Sequence, residues 1–245
     1  MAASLPSVIR TSDLVPARDR TIPVESALTP LFPDAGLRRG HVMSFEGIAA
    51  RSLAIATAAR GVADGAWLAV IGVDGFGIEA AIEHGIAPER VVQIPASGPI
   101  DWAERLAVAV DGFELILTCP PRGADRQMRK LRQRLQARGG VLLAVPPVPM
   151  GSGTAHGTVA IGADIELATR EVAWVGIEQG NGRLLARRVT ITSSGRRVPR
   201  PITIDCWLPG PDGRVDVVQT GAGNTRRDET DVSADTSVET LHRAS

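Results

Sequence analysis

One stretch of the chain has residues in an order that could hold a phosphate: Gly47-Ile48-Ala49-Ala50-Arg51-Ser52. It lies between a short apolar run at 42–45 and a helical pattern at 49–60. At such strand–turn–helix junctions, nucleotide chemistry uses GxxxxGK[ST]. Backbone N–H groups cradle the phosphates, the lysine reaches the β/γ oxygens, and the Ser/Thr holds Mg²⁺. Here Arg51 stands at the lysine position, Ser52 at the Ser/Thr position and Ala50 at the second glycine. Only two residues separate Gly47 from Ala50, where the motif needs about four. The loop is too short to wrap a phosphate, and a Cβ at Ala50 raises the cost of the backbone shape glycine permits. The chain has 26 arginines and one lysine, Lys130, so no neighbouring lysine can take over. The sequence favours a degenerate structural turn; residual anion or nucleotide binding is the competing reading.

A second candidate is a helix at 124–138. Arg126, Arg129, Lys130, Arg132, Arg134 and Arg138 crowd it, with Asp125 the lone acid, while Met128, Leu131 and Leu135 form one apolar stripe. The simplest account is the solvated outer face of a sheet-covering helix. The functional account is a patch for nucleic-acid phosphates or an acidic partner. The helix has no aromatic residues for base stacking, which disfavours single-strand recognition.

Other chemistry finds little support. His41, His84, His156 and His242 show no metal spacing with Cys119 and Cys206, so no metal is expected. Ser52, Ser97 and Ser152 lack a G-x-S-x-G setting for a hydrolase. Asp74, in GVDGFG, reads as a polar loop residue. Trp207 falls on the polar face of its strand, as an exposed anchor for a partner or under a covered edge.

The elements that must position these residues follow a simple pattern. Apolar runs of strand length occur at 42–45, 67–72, 90–94, 113–118 and 141–145. Helical patterns lie between them at 49–60, 78–84, 100–110 and 124–138. This alternation predicts an α/β fold with a mainly parallel sheet covered on both faces. Beyond about residue 158 the period changes to two, as at 189–193 and 202–207, and Asn181-Gly182 gives a hairpin signal. Antiparallel C-terminal strands are therefore expected. The proline-containing residues 1–35 read as an N-terminal arm with one helical turn near 24–28, and 36–208 as the core domain. Residues 209–245 are polar and poor in large apolar groups, which predicts a disordered tail with a weak helix near 237–242.

Composition sets limits. The net charge is zero and 44% of residues are hydrophobic, so no global field draws the chain to nucleic acid or membrane. The N-terminus lacks the apolar core of a secretion signal, no run reaches membrane-span length, and two widely spaced cysteines suit a reducing cytoplasm.

Several segments together resemble the RecA recombinase family. GLRRGHVMSFEG is similar to its lead-in to the P-loop strand. GIAPERVVQIPASGPIDWAERLAVAV resembles its segment through the third core strand. QMRKLRQRLQARGGVLLAV resembles the helix and strand beyond Walker B, and AWVGIEQGNGRLLARRVTI its later strands. The resemblance implies a three-layer αβα RecA-like core over about 36–207. The motifs depart from the family's. In FELILTC the metal-coordinating Asp is replaced by Thr118 or Cys119. The catalytic Glu position falls near Gly72-Val73-Asp74, and both DNA-binding loops, CPPRGADRQ and PPVPMGSGTAHG, are short. Phosphoryl transfer needs these parts together, so no ATPase activity and no cofactor are expected.

Length, missing P-loop, arginine-rich helix and polar tail look most like the actinobacterial branch of the ImuA family, accessory factors of SOS mutagenesis and translesion synthesis. That resemblance implies a non-catalytic partner of ImuB, an inactive relative of Y-family polymerases. Indirectly it implies an error-prone C-family DNA polymerase, the sliding clamp and RecA, with DNA binding weak or absent. The alternatives are a SulA-like division inhibitor that binds FtsZ, and a residual ATPase.

Overall fold

The computed structural model describes residues 20–147, 161–178 and 181–218. Nine strands form one sheet in the order β11-β10-β9-β8-β3-β7-β6-β4-β5. The parallel part contains β3 (Val42–Gly47), β4 (Leu68–Ile71), β5 (Val91–Ile94), β6 (Leu115–Thr118), β7 (Val141–Ala144) and the start of β8 (Ile165–Glu178). Then β9 (Asn181–Ser194), β10 (Ile202–Trp207) and β11 (Asp216–Val217) add antiparallel. The expected mainly parallel sheet with antiparallel C-terminal strands is what forms.

Both faces of the parallel strands are apolar, which explains why they read as continuous runs rather than alternations. In β4, Leu68 and Val70 enter one core and Ala69 and Ile71 the other. On the second face α3 (Gly98–Gly112) contributes Trp102 and Leu106, and α4 (Asp125–Arg138) contributes Met128 and Leu135. On the first face lies α1 (Ala50–Ala63), with α2 (Ile78–Glu83) lending Ala81.

Helix α1 is apolar almost all round, from Leu53 to Val62, so it must be covered on its outer side too. The cover is a strap formed by 20–35. Thr21–Ile22 (β1) pairs with Leu37–Arg38 (β2), and a 3₁₀ turn at Ser26–Leu31 follows β1. Ile22, Leu28, Leu31 and Phe32 are buried in the same core as α1. The strap lies so close that a Cβ on Gly61 would sit 2.4 Å from Ile22 Cγ2. Ser193 Oγ ties it down by donating to the Leu31 carbonyl at 2.7 Å. The segment read from sequence as an arm packs into the core from Ile22 onward, because α1 needs an apolar lid. Residues 1–19 lie outside the described residues.

The core also continues past 208. Leu208 and Val215 are buried, and β11 pairs with Cys206 and Trp207. Trp207 is thus a half-buried residue under a covered edge. The rest of the expected tail, 219–245, is outside the described residues, as is most of the second DNA-loop position. The hairpin also differs in place from the expectation. Asn181 and Gly182 pair with Glu178 and Ile177 within the strands, and residues 179–180 lie outside the described residues.

Candidate functional site

The degenerate loop lies where a phosphate loop would. β3 ends at Gly47, Ile48 and Ala49 turn, and α1 begins at Ala50. What surrounds it is specific to this chain. β8 runs alongside β3 with Thr169 opposite Gly47. The approach is so close that a Cβ on Gly47, at φ +89°, would lie 2.0 Å from the Thr169 carbonyl oxygen. The Thr169 hydroxyl donates to the Glu46 carbonyl at 3.0 Å and accepts from the Ala49 N–H at 3.0 Å. A helix N-terminus leaves its first amides free, and a bound anion normally takes them. Here a neighbouring strand supplies the acceptor for Ala49.

Arg51 and Ser52 are also engaged internally. Arg51 Nη1 donates to the backbone carbonyl of Asp74 at 2.6 Å. Burial lowers the Arg51 pKa, opposed by Cys119 and Asp74. Asp74 is exposed, and Arg51 engages its carbonyl. The Ser52 hydroxyl accepts from Arg187 Nη2 at 3.4 Å. Arg187, on β9, is buried, donates from Nε to the Leu208 carbonyl at 2.8 Å, and lies 5.0 Å over the Trp174 ring. A fixed guanidinium therefore faces the hydroxyl that would meet a metal in a working loop.

At the Walker B position, Thr118 is fully buried. Its Oγ1 accepts from Trp102 Nε1 at 2.7 Å and donates to the Ile71 carbonyl at 2.9 Å. It pins α3 to β4 and β6. Cys119 is half-buried and burial pushes its thiol pKa up. In open α/β sheets, ligands bind at the carboxyl ends of adjacent strands whose helices leave on opposite faces. β4 and β6 are such a pair, since α2 packs on the first face and α4 on the second. The groups at their ends are Asp74 and Cys119, with Arg51 bonded across to the loop after β4. The cleft nearby, about 260 Å³, is lined by 72–76, Gln93, Ile94 and Pro95, and contains none of Gly47, Ser52 or Thr118.

The six basic residues of α4 divide. Arg134 binds Asp111 through Nε at 2.8 Å and through Nη2, and Arg138 Nε reaches the same carboxylate at 3.2 Å. These bonds, Arg134 first, hold the Asp111 carboxyl below the usual range. Arg132 donates to the buried carboxylate of Asp164 at 2.8 Å and to the carbonyls of Ile161 and Gly162. Arg126, Arg129 and Lys130 are exposed and have no partner among the described residues. Of the six, Arg132 is held by a buried carboxylate, Arg134 and Arg138 share an exposed ion pair, and Arg126, Arg129 and Lys130 stand exposed.

Sequence reading missed Thr169, Asp164 and Arg187. Asp164 accepts from the Val42 N–H at 3.0 Å, from Arg132, and from Arg196 at 2.8 Å, joining β3, α4 and the 195–197 turn. All three partners lie 120 or more residues from the loop, strand or helix they serve, so no local pattern marks them. Among the described residues no three His, Cys, Asp or Glu side chains gather as a metal site, and no helix is long and apolar enough to cross a membrane.

The structure is similar to that of the RadB recombinase, with a TM-score of 0.55 and 16% identity over 82% of this chain and the whole of that one. The fold is RecA-like. Residues 30–150 match the family model of the MT3502 N-terminal domain. Across 189 residues the chain is 30% identical to Rv3395c of Mycobacterium tuberculosis, covering 76% of this chain and 82% of that protein. The chain therefore belongs to the same protein family as Rv3395c.

Proposed function

We propose that the protein is a non-catalytic RecA-like accessory factor in DNA-damage-induced (SOS) mutagenesis and translesion synthesis. It acts in the cytoplasm by binding an ImuB-type inactive Y-family polymerase homologue. Through that partner it serves an error-prone C-family polymerase. One observation carries the non-catalytic part. The Ala49 amide is capped by Thr169, Arg51 is bonded to the Asp74 carbonyl, and Thr118 is spent on Trp102. These three positions, each of which nucleotide chemistry would use, are already engaged within the chain. Catalysis by positioned phosphates requires those groups to be free together. The mutagenesis role rests on the resemblance to the ImuA family in length, missing loop and basic helix.

Two measurements test the reading. Tagged full-length protein is mixed with a purified ImuB-type protein or with FtsZ. Capture of the first and not the second is expected, and the reverse result would favour a SulA-like inhibitor. ATP turnover is measured alongside and is expected at background. Turnover abolished by Arg51→Ala with Ser52→Ala would overturn the non-catalytic reading.

A further inference from the structure

Leu184 and Leu185, adjacent on β9, are 47% and 55% exposed. They sit in an irregular part of the hairpin. Val175 pairs with Ala186 and Ile177 with Gly182, so one residue of β8 faces three of β9. This bulge throws both leucines outward instead of alternating them across the ribbon. They border a groove of about 330 Å³, closed by the 209–213 turn and by Glu83 at the end of α2.

The groove has a definite chemistry. Leu184, Leu185, Pro209 and Pro211 give it apolar walls, and among the described residues Glu83 and Asp212 are its ionisable lining groups. Its far wall is braced. The Gly210 N–H donates to the Arg214 carbonyl at 2.6 Å, the Gly213 N–H to the Gly210 carbonyl at 3.0 Å, and Asp212 Oδ1 accepts from the Arg214 N–H at 3.1 Å. The turn also packs on α2, where a Cβ on Gly213 would lie 3.2 Å from Glu83 Cβ. A preformed trough with mixed apolar and polar walls loses little freedom on binding. Two acids at it favour a cationic neighbour to whatever fills it and disfavour an anionic one.

We propose that this groove docks a protein segment presenting leucine-like side chains flanked by lysine or arginine. The inference deepens the reading of the chain as a protein-binding factor and rests on it. It places a partner surface on the folded core, at the β9 bulge.

The test titrates full-length protein into labelled, end-blocked nine-residue peptides and reads anisotropy. One peptide is built of Leu and Arg, one of Leu and Glu, one of Ser and Arg. The Leu/Arg peptide is expected to bind best. Leu184→Glu with Leu185→Glu should weaken it at least tenfold, and Glu83→Arg with Asp212→Arg should transfer the preference to the Leu/Glu peptide. All four positions are exposed or at the rim, and circular dichroism confirms that the variants fold. Absence of binding, equal binding of the Ser/Arg peptide, or binding indifferent to both pairs of substitutions overturns the groove. Capture of an ImuB-type protein by the wild type is decided separately, so failure of the groove and failure of the mutagenesis reading are distinct results.

Discussion

The cap supplied by Thr169 can be tested by removing one atom. Thr169→Val keeps the shape of the side chain and replaces the hydroxyl with a methyl. Thr169 is 4% exposed, and its hydroxyl satisfies both the Ala49 N–H and the Glu46 carbonyl. Leaving one buried group without a partner costs about 1–3 kcal/mol. Glu46 is half-buried, so its carbonyl can still find water and the Ala49 amide dominates. The expected loss is about 2 kcal/mol. For a chain of this size that is a fall in Tm of about 4–8 °C. Urea unfolding, followed through the tryptophans, should show a lower midpoint with an unchanged slope. Thr169→Ser keeps the hydroxyl and is expected to stay within about 1 kcal/mol of the wild type. A Thr169→Val protein as stable as wild type would refute the cap. So would a Thr169→Ser protein as weak as Thr169→Val, since methyl packing would then be the cause. No nucleotide binding should appear in Thr169→Val, because the loop is still too short.

Gly47→Ala should be more damaging, on the order of 3 kcal/mol, because it combines a positive φ with a Cβ 2.0 Å from a strand carbonyl; the urea midpoint reads it. Asp164→Asn breaks a buried carboxylate's bonds to Arg132 and Arg196 and should cost about 3 kcal/mol, whereas Asp111→Asn, on an exposed pair of arginines, should cost far less in the same assay. Burial holds His41 and His84 below the ordinary histidine value of 6.5, so the unfolded chain takes up their protons first as pH falls. Stability should therefore decline from about pH 7 towards pH 5, by at most about 1.4 kcal/mol per pH unit for each histidine, and His84→Asn should flatten the curve. Thr118→Asp, which puts a carboxylate back at the Walker B position, should destabilise the protein and leave ATP turnover at background, because Trp102 Nε1 and the Ile71 carbonyl already use that position.

The sheet was legible because its signal is local. Most parallel strands are short apolar runs, α3 and α4 carry apolar stripes and α1 is a long apolar run, so local pattern located them. The strap was not legible. Val24, Leu28 and Leu31 lie among prolines that suggest an arm, and only the all-round apolar surface of α1 reveals that a lid is needed. The basic helix was read correctly as a helix with a Met128–Leu135 stripe, but its charges could not be apportioned. Asp111 and Asp164, which neutralise three of its arginines, are 23 to 32 residues away in sequence. Thr169 is further still from the loop it caps, in a strand whose own pattern is unremarkable.

The state of the pseudo-site follows from polar accounting as much as from lost motifs. When a strand–turn–helix junction no longer holds a phosphate, its amides and side chains still need partners wherever they are buried. In this chain the partners come from four different places: Thr169 from β8, the Asp74 carbonyl from the loop after β4, Arg187 from β9 and Trp102 from α3. Changing Arg51 back to lysine would leave Thr169 on the amide and Arg187 on Ser52. Lengthening the loop would have to displace the Thr169 carbonyl that already presses on Gly47. Each restoration conflicts with a bond that stabilises the present fold, so the junction now works as a joint between β3, β8 and α1. A joint of this kind leaves partner binding to exposed surfaces, and the groove proposed at the β9 bulge is one of them among the described residues.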